Sequence, residues 1–325
     1  KMIKAIRIHE TGGPEVLKWE DVELAEPGEG EVRLKHSASG LNFIDCYQRS
    51  GLYPIDLPTT LGTEGAGTIE AVGPGVDNLK VGQRVAYAGG QMGSYSEARN
   101  ISAGVLVPVP DGIEDQTAAA MMLKGMTVHM LMFKCYAVQP GDTILVHAAA
   151  GGVGSIMCQW ANALGATVIG TVGSDEKAEK AKANGCHHPI NYSTEDFAAR
   201  VQEITDGKGV PVVYESIGKN TYEKSMDCLA NFGTLVNFGN ASGPIPAIEP
   251  LELMRKGSLA LSRPTLFNYT ADHDMRMKAA ADLFDIVSSG KVKIEIGQTF
   301  ALEDTAKAHV ALESRQTMGS TVLIP

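Results

Sequence analysis

No stretch of this sequence approaches the ~20 consecutive apolar residues that a membrane-spanning helix needs. The first residues, Lys1-Met2-Ile3-Lys4-Ala5-Ile6, read as a strand and lack the apolar core of a signal peptide. Cysteine is sparse. Cys46, Cys135, Cys158, Cys186 and Cys228 are scattered and odd in number, with no Cys-x-x-Cys pair. That pattern argues against a disulfide framework and for a reducing compartment, so a cytoplasmic location is expected. Positive charge is also short: Lys+Arg is 28 against 38 Asp+Glu, a formal net charge of −10. A polyanion would be repelled on average, and no basic stretch interleaved with aromatics offers a nucleic-acid path. There is no internal repeat and no low-complexity segment.

What remains is ordinary globular composition, 44% hydrophobic and 20% charged, over 325 residues. That length suggests two domains. Residues 1–124 are rich in short β-type runs and turn residues. Val32 to His36 alternates like a strand, and Gly62 through Gly75 holds five glycines, which predicts strands joined by tight turns. From residue 125 the rhythm changes to β-α alternation. Apolar strands are predicted at 143–147, 167–172, 189–191, 210–214, 233–236 and 258–261, with helices at 155–164, 175–184, 195–205, 221–230 and 250–256. Six apolar strands alternating with helices imply a parallel sheet covered on both faces, the doubly wound dinucleotide-binding (Rossmann) fold. After residue 265 come a helix (272–289), a strand (292–300), a helix (303–313) and a strand (321–324). This tail is expected to complete the first domain, giving a discontinuous domain of 1–124 and 265–325 around a Rossmann domain of 125–264. A cleft between the two is the default ligand site.

Ala148-Ala149-Ala150-Gly151-Gly152-Val153-Gly154 lies between the first Rossmann strand and its helix. Small residues permit close approach of backbone to a pyrophosphate, and the helix N-terminus offers N–H groups to the anion. Against the fingerprint G-x-G-x-x-G, the glycine positions are Ala149, Gly151 and Gly154, so the first departs. Gly151, Gly152 and Val153 are therefore candidate cofactor contacts. NAD enzymes carry an acidic residue after the second strand to accept the ribose 2′-OH. Here Val172-Gly173-Ser174 stands at that place. Ser174 and Tyr192 can donate hydrogen bonds to a 2′-phosphate, and Lys177 supplies a point charge. The expected cofactor is NADPH, although a lysine at Lys177 is also what a solvated helix paired with Asp175 or Glu176 would carry.

Several segments carry a resemblance to a known family. They are Gly12-Gly13-Pro14-Glu15-Val16-Leu17, Gly40-Leu41-Asn42-Phe43-Ile44-Asp45, Arg49 to Pro54, Leu61 to Gly67, His147 to Gly154, and Glu313-Ser314-Arg315 through Pro325. With them the chain resembles, nearly end to end, the quinone oxidoreductases, the zeta-crystallin-like branch of the medium-chain dehydrogenase/reductase superfamily. The resemblance implies a GroES-like, mainly β catalytic domain beside the Rossmann domain. It also implies hydride transfer from NADPH to a quinone, and a homodimer joined through edge strands of the Rossmann sheet.

Zinc members of the superfamily hold metal at positions that match Asn42, Thr63 and roughly Leu123, none of them a good zinc ligand. Residues 87–100 hold no cysteine, so the structural zinc loop is missing too. No metal is therefore expected, and hydrogen-bond donors must steady charge on the acceptor oxygen. The resemblance places Asn42, Phe43 and Tyr47 beside the nicotinamide, with Asn42 and Tyr47 as catalytic candidates. It adds Thr127 and Met130 on the helix entering the Rossmann domain, and Ile217. Phe238, Gly239, Ala241 and Ser242 come after the fifth strand, Arg263, Pro264, Thr265 and Leu266 after the sixth, and Arg315 in the tail approaches the 2′-phosphate. Two other readings stay open: an alkenal or enone reductase on the same scaffold, and a cofactor-binding protein with a structural or RNA-binding role.

Overall fold

The computed structural model describes residues Lys1–Pro325. It divides into two compact units: unit 1 is Lys1–Met126, Thr270–Ser288 and Ile294–Pro325, and unit 2 is Thr127–Tyr269 with Ser289–Lys293. The first stretch of unit 1 contains β1 (Met2–Ile8), β2 (Lys18–Glu23), β3 (Glu31–Leu41), α1 (Phe43–Ser50) and β4 (Thr59–Thr60). It continues with β5 (Glu64–Val72), β6 (Arg84–Ala88), β7 (Ala98–Ser102) and β8 (Val107–Pro108), and then α2 (Asp115–Met130). Next come β9 (Thr143–Val146), α3 (Gly152–Ala163), β10 (Thr167–Val172), α4 (Asp175–Ala183), β11 (His188–Asn191) and α5 (Phe197–Ile204). They are followed by β12 (Val210–Glu215), α6 (Tyr222–Asp227), β13 (Leu229–Asn237), α7 (Pro250–Arg255), β14 (Ala260–Ser262) and α8 (Leu266–Tyr269). The chain closes with α9 (His273–Ser288), β15 (Ile296–Ala301), α10 (Thr305–Glu313) and β16 (Ser320–Ile324).

Unit 1 is mainly β. Its larger sheet has seven strands, with β15-β16-β3-β5-β6-β8 in line and β7 also paired to β3; β2-β1-β4 forms a smaller sheet. The alternation noted at 32–36 is the burial alternation of β3, where Val32, Leu34 and His36 point inward. Inward apolar residues of β3, β5 and β6 meet in one cluster of Val32, Leu34, Ile69, Val85 and Tyr87. A second cluster gathers Ile6, Ile8, Leu41, Leu61, Tyr95 and Leu323. Within the glycine-rich run at 62–75, residues 64–72 form one strand, β5, and Gly62 and Gly75 take left-handed backbones beyond its two ends. Gly67 in the strand faces the Lys35 carbonyl so closely that a Cβ would collide with it, so this glycine serves strand contact.

Unit 2 is a six-stranded sheet in the order β11-β10-β9-β12-β13-β14, every neighbouring pair parallel. This is the doubly wound order 3-2-1-4-5-6. The strands are apolar because both faces are covered: Leu145, Ile169, Ile190, Val213 and Leu235 are buried together with Phe197, Val201 and Met226 from the helices.

Some element boundaries differ from the sequence expectation. The helix after β9 starts at Gly152, so the glycine run is its first turn. The helix predicted over 221–230 ends at Asp227, because Leu229 already pairs with Val210 and a bulge follows before Val212 meets Thr234. The strand predicted over 292–300 starts only at Ile296. Lys293 instead exchanges hydrogen bonds with the side chain of Gln159. Helix α1 was not anticipated. Its signal was present in Asn42-x-x-Asp45: Asn42 is the N-cap, and its N–H donates to Asp45 Oδ2 at 3.0 Å.

Candidate functional site

Parallel strands deliver all their C-terminal ends to one edge, where doubly wound sheets bind ligands. The candidate residues of unit 2 lie almost entirely just past those ends. Gly151, Gly152 and Val153 follow β9, Gly173 and Ser174 follow β10, and Tyr192 follows β11. Ile217 comes after β12, Phe238 to Ser242 after β13, and Arg263 to Leu266 after β14. Thr127 is half-buried and Met130 buried, both on α2 before the sheet begins.

The turn after β9 is tight because Ala148 takes a left-handed backbone, φ +50°. The conformation expected of the first fingerprint glycine is thus carried by an alanine one residue earlier. Gly151 is the N-cap of α3, and helical bonding begins with Ser155 N donating to the Gly151 carbonyl at 2.8 Å. The N–H groups of Gly152, Val153 and Gly154 precede that bond and have no intrahelical acceptor. A Cβ on Gly154 would strike the Ala148 carbonyl oxygen, so this glycine lets the helix seat against the turn.

The second strand end leads into α4, whose N-cap is Ser174. Its hydroxyl oxygen accepts from Lys177 N at 3.2 Å, which leaves its O–H proton to donate outward. Gly173 makes room for Tyr192, whose hydroxyl would be 3.1 Å from a Cβ at that position. Asp175, the nearest carboxylate, accepts from Asn191 Nδ2 at 3.0 Å. The edge therefore presents donors, a lysine and a helix N-terminus where an NAD enzyme would present an acid.

Beneath the same edge lies a buried polar network that sequence reasoning missed. Glu215, the last residue of β12, is fully buried. Its Oε2 accepts from the N–H of Ile217 at 2.9 Å and of Gly218 at 3.0 Å. Its Oε1 accepts from Thr221 Oγ1 at 2.6 Å and Ser225 Oγ at 2.8 Å. His147 lies 2.7 Å from Ser225 through Nε2 and 2.6 Å from Thr171 through Nδ1. Burial lowers the His147 pKa, against the pull of Glu215.

In unit 1 the residues expected at the acceptor cluster around α1. Asn42 Nδ2 donates to Glu64 Oε1 at 2.7 Å. Glu64 is fully buried and also accepts from Lys124 Nζ at 3.1 Å and Leu123 N at 2.8 Å. Two of the three positions matched to zinc ligands, Asn42 and Leu123, thus donate to one buried carboxylate, and Thr63, the third, directly precedes it in the chain; none of the three offers a metal-binding side chain. Gly40 makes this possible, since a Cβ there would collide with the Glu64 carboxylate. Phe43 and Tyr47 stack at 6.2 Å between ring centroids, and Tyr53 adds a tilted contact to Tyr47 at 5.1 Å. Tyr53 is a second residue that pattern did not single out. Arg315 lies exposed just past α10 with φ +59°.

Behind Asn42 runs a second buried chain. Asp45 Oδ2 accepts from Tyr95 Oη at 2.5 Å, and Tyr95 Oη lies 3.1 Å from His309 Nε2. His309 Nδ1 accepts from Arg49 at 2.8 Å, and Arg49 holds Glu313 through two bonds of 2.6 and 3.0 Å. Cys46, His309 and Glu313 bring their ligand atoms within 4.8 Å of one another, but the Arg49 guanidinium is already bound to two of them, which excludes a cation there. Burial raises the Asp45 pKa from 3.8 to about 7 despite its donors. Because the folded value is the higher one, the stability this carboxyl confers is complete below pH 3.8 and is lost as pH rises through 7. Between pH 5 and pH 8 the wild type should lose about 3 kcal/mol relative to Asp45→Asn. Urea unfolding of both proteins at the two pH values checks this; a constant difference would contradict it.

Comparison with known proteins follows the same division. Residues 28–111 match the family model described as alcohol dehydrogenase GroES-like domain, and residues 152–285 the one described as zinc-binding dehydrogenase. The chain is 53% identical over 326 residues to a quinone oxidoreductase of Pseudomonas aeruginosa, covering all of both chains. It is 46% identical to a 2-haloacrylate reductase of a Burkholderia species, over all of this chain and 99% of that protein. Its structure is similar to that of Escherichia coli quinone oxidoreductase complexed with NADPH, with a TM-score of 0.97 and 46% identity over 99% of this chain and all of the other.

Proposed function

This chain belongs to the quinone oxidoreductase family, and on that footing we propose that it is an NADPH-dependent reductase of quinones. The observation that carries the reading is the edge of unit 2. A helix N-terminus with open N–H groups at Gly152 to Gly154 adjoins a second strand end that leads through Gly173 to Ser174 and Lys177 instead of an acid, with Tyr192 after the third strand. These residues fit the pyrophosphate and the 2′-phosphate of NADPH, with Arg315 as a further phosphate partner. Bound NADPH supplies the hydride, and reduction to the hydroquinone needs one proton besides. Asn42 and Tyr47 are the donors we assign to the acceptor oxygen, with Phe43 packed on Tyr47. Loops at Ile217, Phe238 to Ser242 and Arg263 to Leu266 take the nicotinamide half, and Thr127 and Met130 complete the lining. The reaction runs without metal, because positions 42, 63 and 123 offer an amide, a hydroxyl and an aliphatic side chain.

A second reading is favoured by the relative named 2-haloacrylate reductase: a conjugated acid or enone could take the hydride at carbon in place of a quinone. Purified protein should oxidise NADPH with naphthoquinones or phenanthrenequinone, and prefer NADPH to NADH by about tenfold or more in kcat/KM, about 1.4 kcal/mol. Turnover confined to enones or haloacrylates would select the second reading. Cofactor binding with no turnover on any acceptor would defeat both.

We also propose a homodimer through β14. This strand has only β13 as a neighbour, and Phe232, Leu251, Met254 and Leu261 are exposed apolar residues on or near it. Sedimentation as a monomer would refute it. No helix is long and apolar enough to cross a membrane. With its free cysteines, four of the five buried, the protein suits the reducing cytoplasm.

A further inference from the structure

We propose that Glu215 is a positioning residue that locks the nicotinamide-side loops of unit 2 to the pyrophosphate turn. The proposal rests on the NADPH reading of the same strand ends. A carboxylate only accepts hydrogen bonds, so each of the four donors around Glu215 points its proton at it: the N–H of Ile217 and Gly218, and the hydroxyls of Thr221 and Ser225. Those four bonds fill its acceptor capacity. The donor direction then propagates. Ser225 gives its proton to Glu215, so its oxygen accepts from His147 Nε2–H. The neutral imidazole therefore has a bare Nδ1, which accepts from the Thr171 hydroxyl.

His147, Thr171 and Glu215 sit at three different strand ends, and Thr221 and Ser225 at the start of α6 join the network. His147 directly follows β9 and precedes the turn at 148–151, and its N–H donates to the Tyr214 carbonyl at 3.2 Å. Thr171 belongs to β10, whose end leads to Ser174. Glu215 ends β12 and holds the backbone of Ile217 directly. The β13 loop is joined through Ile217, whose carbonyl accepts from Ser242 N and Ser242 Oγ, both at 2.8 Å. In a 3-2-1-4-5-6 sheet, strands 1 to 3 carry the adenosine half of the ligand and strands 4 to 6 the nicotinamide half. Glu215 stands where the halves join, so it sets where the nicotinamide loops lie relative to the phosphates.

The two halves can be assayed separately. 2′,5′-ADP carries the adenosine and the 2′-phosphate but no nicotinamide. Glu215→Ala leaves the Ile217 and Gly218 N–H groups without their acceptor. It should weaken NADPH about tenfold or more by calorimetry while 2′,5′-ADP stays within about twofold. Glu215→Gln should recover most of the NADPH affinity. Its oxygen can keep the two backbone N–H groups while its amide faces the hydroxyls, which turn and switch the His147 tautomer. Should Glu215→Ala fail to fold, Ser225→Ala cuts the same relay between Glu215 and His147, removing the two bonds of the Ser225 hydroxyl while the Ile217 and Gly218 N–H groups keep their acceptor. It should weaken NADPH about threefold with no effect on 2′,5′-ADP. Equal loss of both ligands, or no loss of NADPH, would overturn the proposal. So would a Gln variant no better than the alanine. If the wild type binds neither ligand, the NADPH reading itself has failed, a result these variants cannot mimic.

Discussion

Gly154→Val should raise the Kd for NADPH at least a hundredfold, about 2.7 kcal/mol, with a lowered unfolding midpoint. The valine Cβ would strike the Ala148 carbonyl oxygen and stand 2.8 Å from Ala149 Cα and 2.9 Å from its carbonyl carbon. All three are backbone atoms, so no side chain can rotate away. Relief requires α3 to lift from the turn, and that moves the N–H groups of Gly152 and Val153 off the position where they meet a pyrophosphate. Gly151→Ala provides the contrast. Its Cβ would have one close neighbour, the Ala148 oxygen at 3.3 Å, and its φ of −79° is ordinary for alanine. The free protein should therefore tolerate it. Calorimetry with NADPH and urea titration of both variants tests the argument, and wild-type affinity in Gly154→Val would refute it.

Lys124→Met should cost about 3–5 kcal/mol of stability, because it strands a buried carboxylate. Glu64 is wholly inaccessible and the Lys124 side chain nearly so, 0% and 8% exposed. Without the ammonium, Glu64 keeps only the N–H donors of Asn42 and Leu123. The Leu41 carbonyl, 3.1 Å from Nζ, loses its partner as well. The double variant Glu64→Gln/Lys124→Met removes both charges and should recover a large part of the loss, since replacing a buried pair is cheaper than breaking it. Thermal and urea unfolding of the two variants decide the matter. A single variant within about 1 kcal/mol of wild type would mean that water reaches Glu64. Activity adds a second readout, because Glu64 fixes the Asn42 amide: the double variant should regain stability without regaining full kcat.

The architecture was legible because its signals are local. Apolar strands alternating with helices recur along 143–262, and a parallel sheet covered on both faces is what such strands require. The turn at 148–154 was legible because glycine spacing reports backbone approach. The ligand positions 42, 63 and 123 could be judged from residue chemistry alone. The polar networks could not. Glu215 and His147 are 68 positions apart, and His309 is 260 beyond Arg49; only the folded chain brings them together. Nothing in Gly40 announces that it clears space for Glu64. Helix α1 was missed for a different reason: eight residues with one capping pair are a short signal inside a β-rich stretch. The late start of β15 depended on Gln159 capturing Lys293, a choice that periodicity does not encode.

Strand β16 lies between β15 and β3 in the larger sheet of unit 1, pairing parallel to one and antiparallel to the other. It follows β3 only after the whole run 127–269 of unit 2 has been made. During synthesis, unit 2 has nearly all its residues available while β3 still lacks the partner of Ser39–Leu41, the stretch that β16 covers. Assembly on the ribosome is thereby ordered: the nucleotide-binding half, nearly all of it one run of chain, can fold early, and the interrupted half must wait for the strand that joins β15 to β3. Until that strand arrives, the uncovered end of β3 at Ser39–Leu41 is open to pairing with a neighbour.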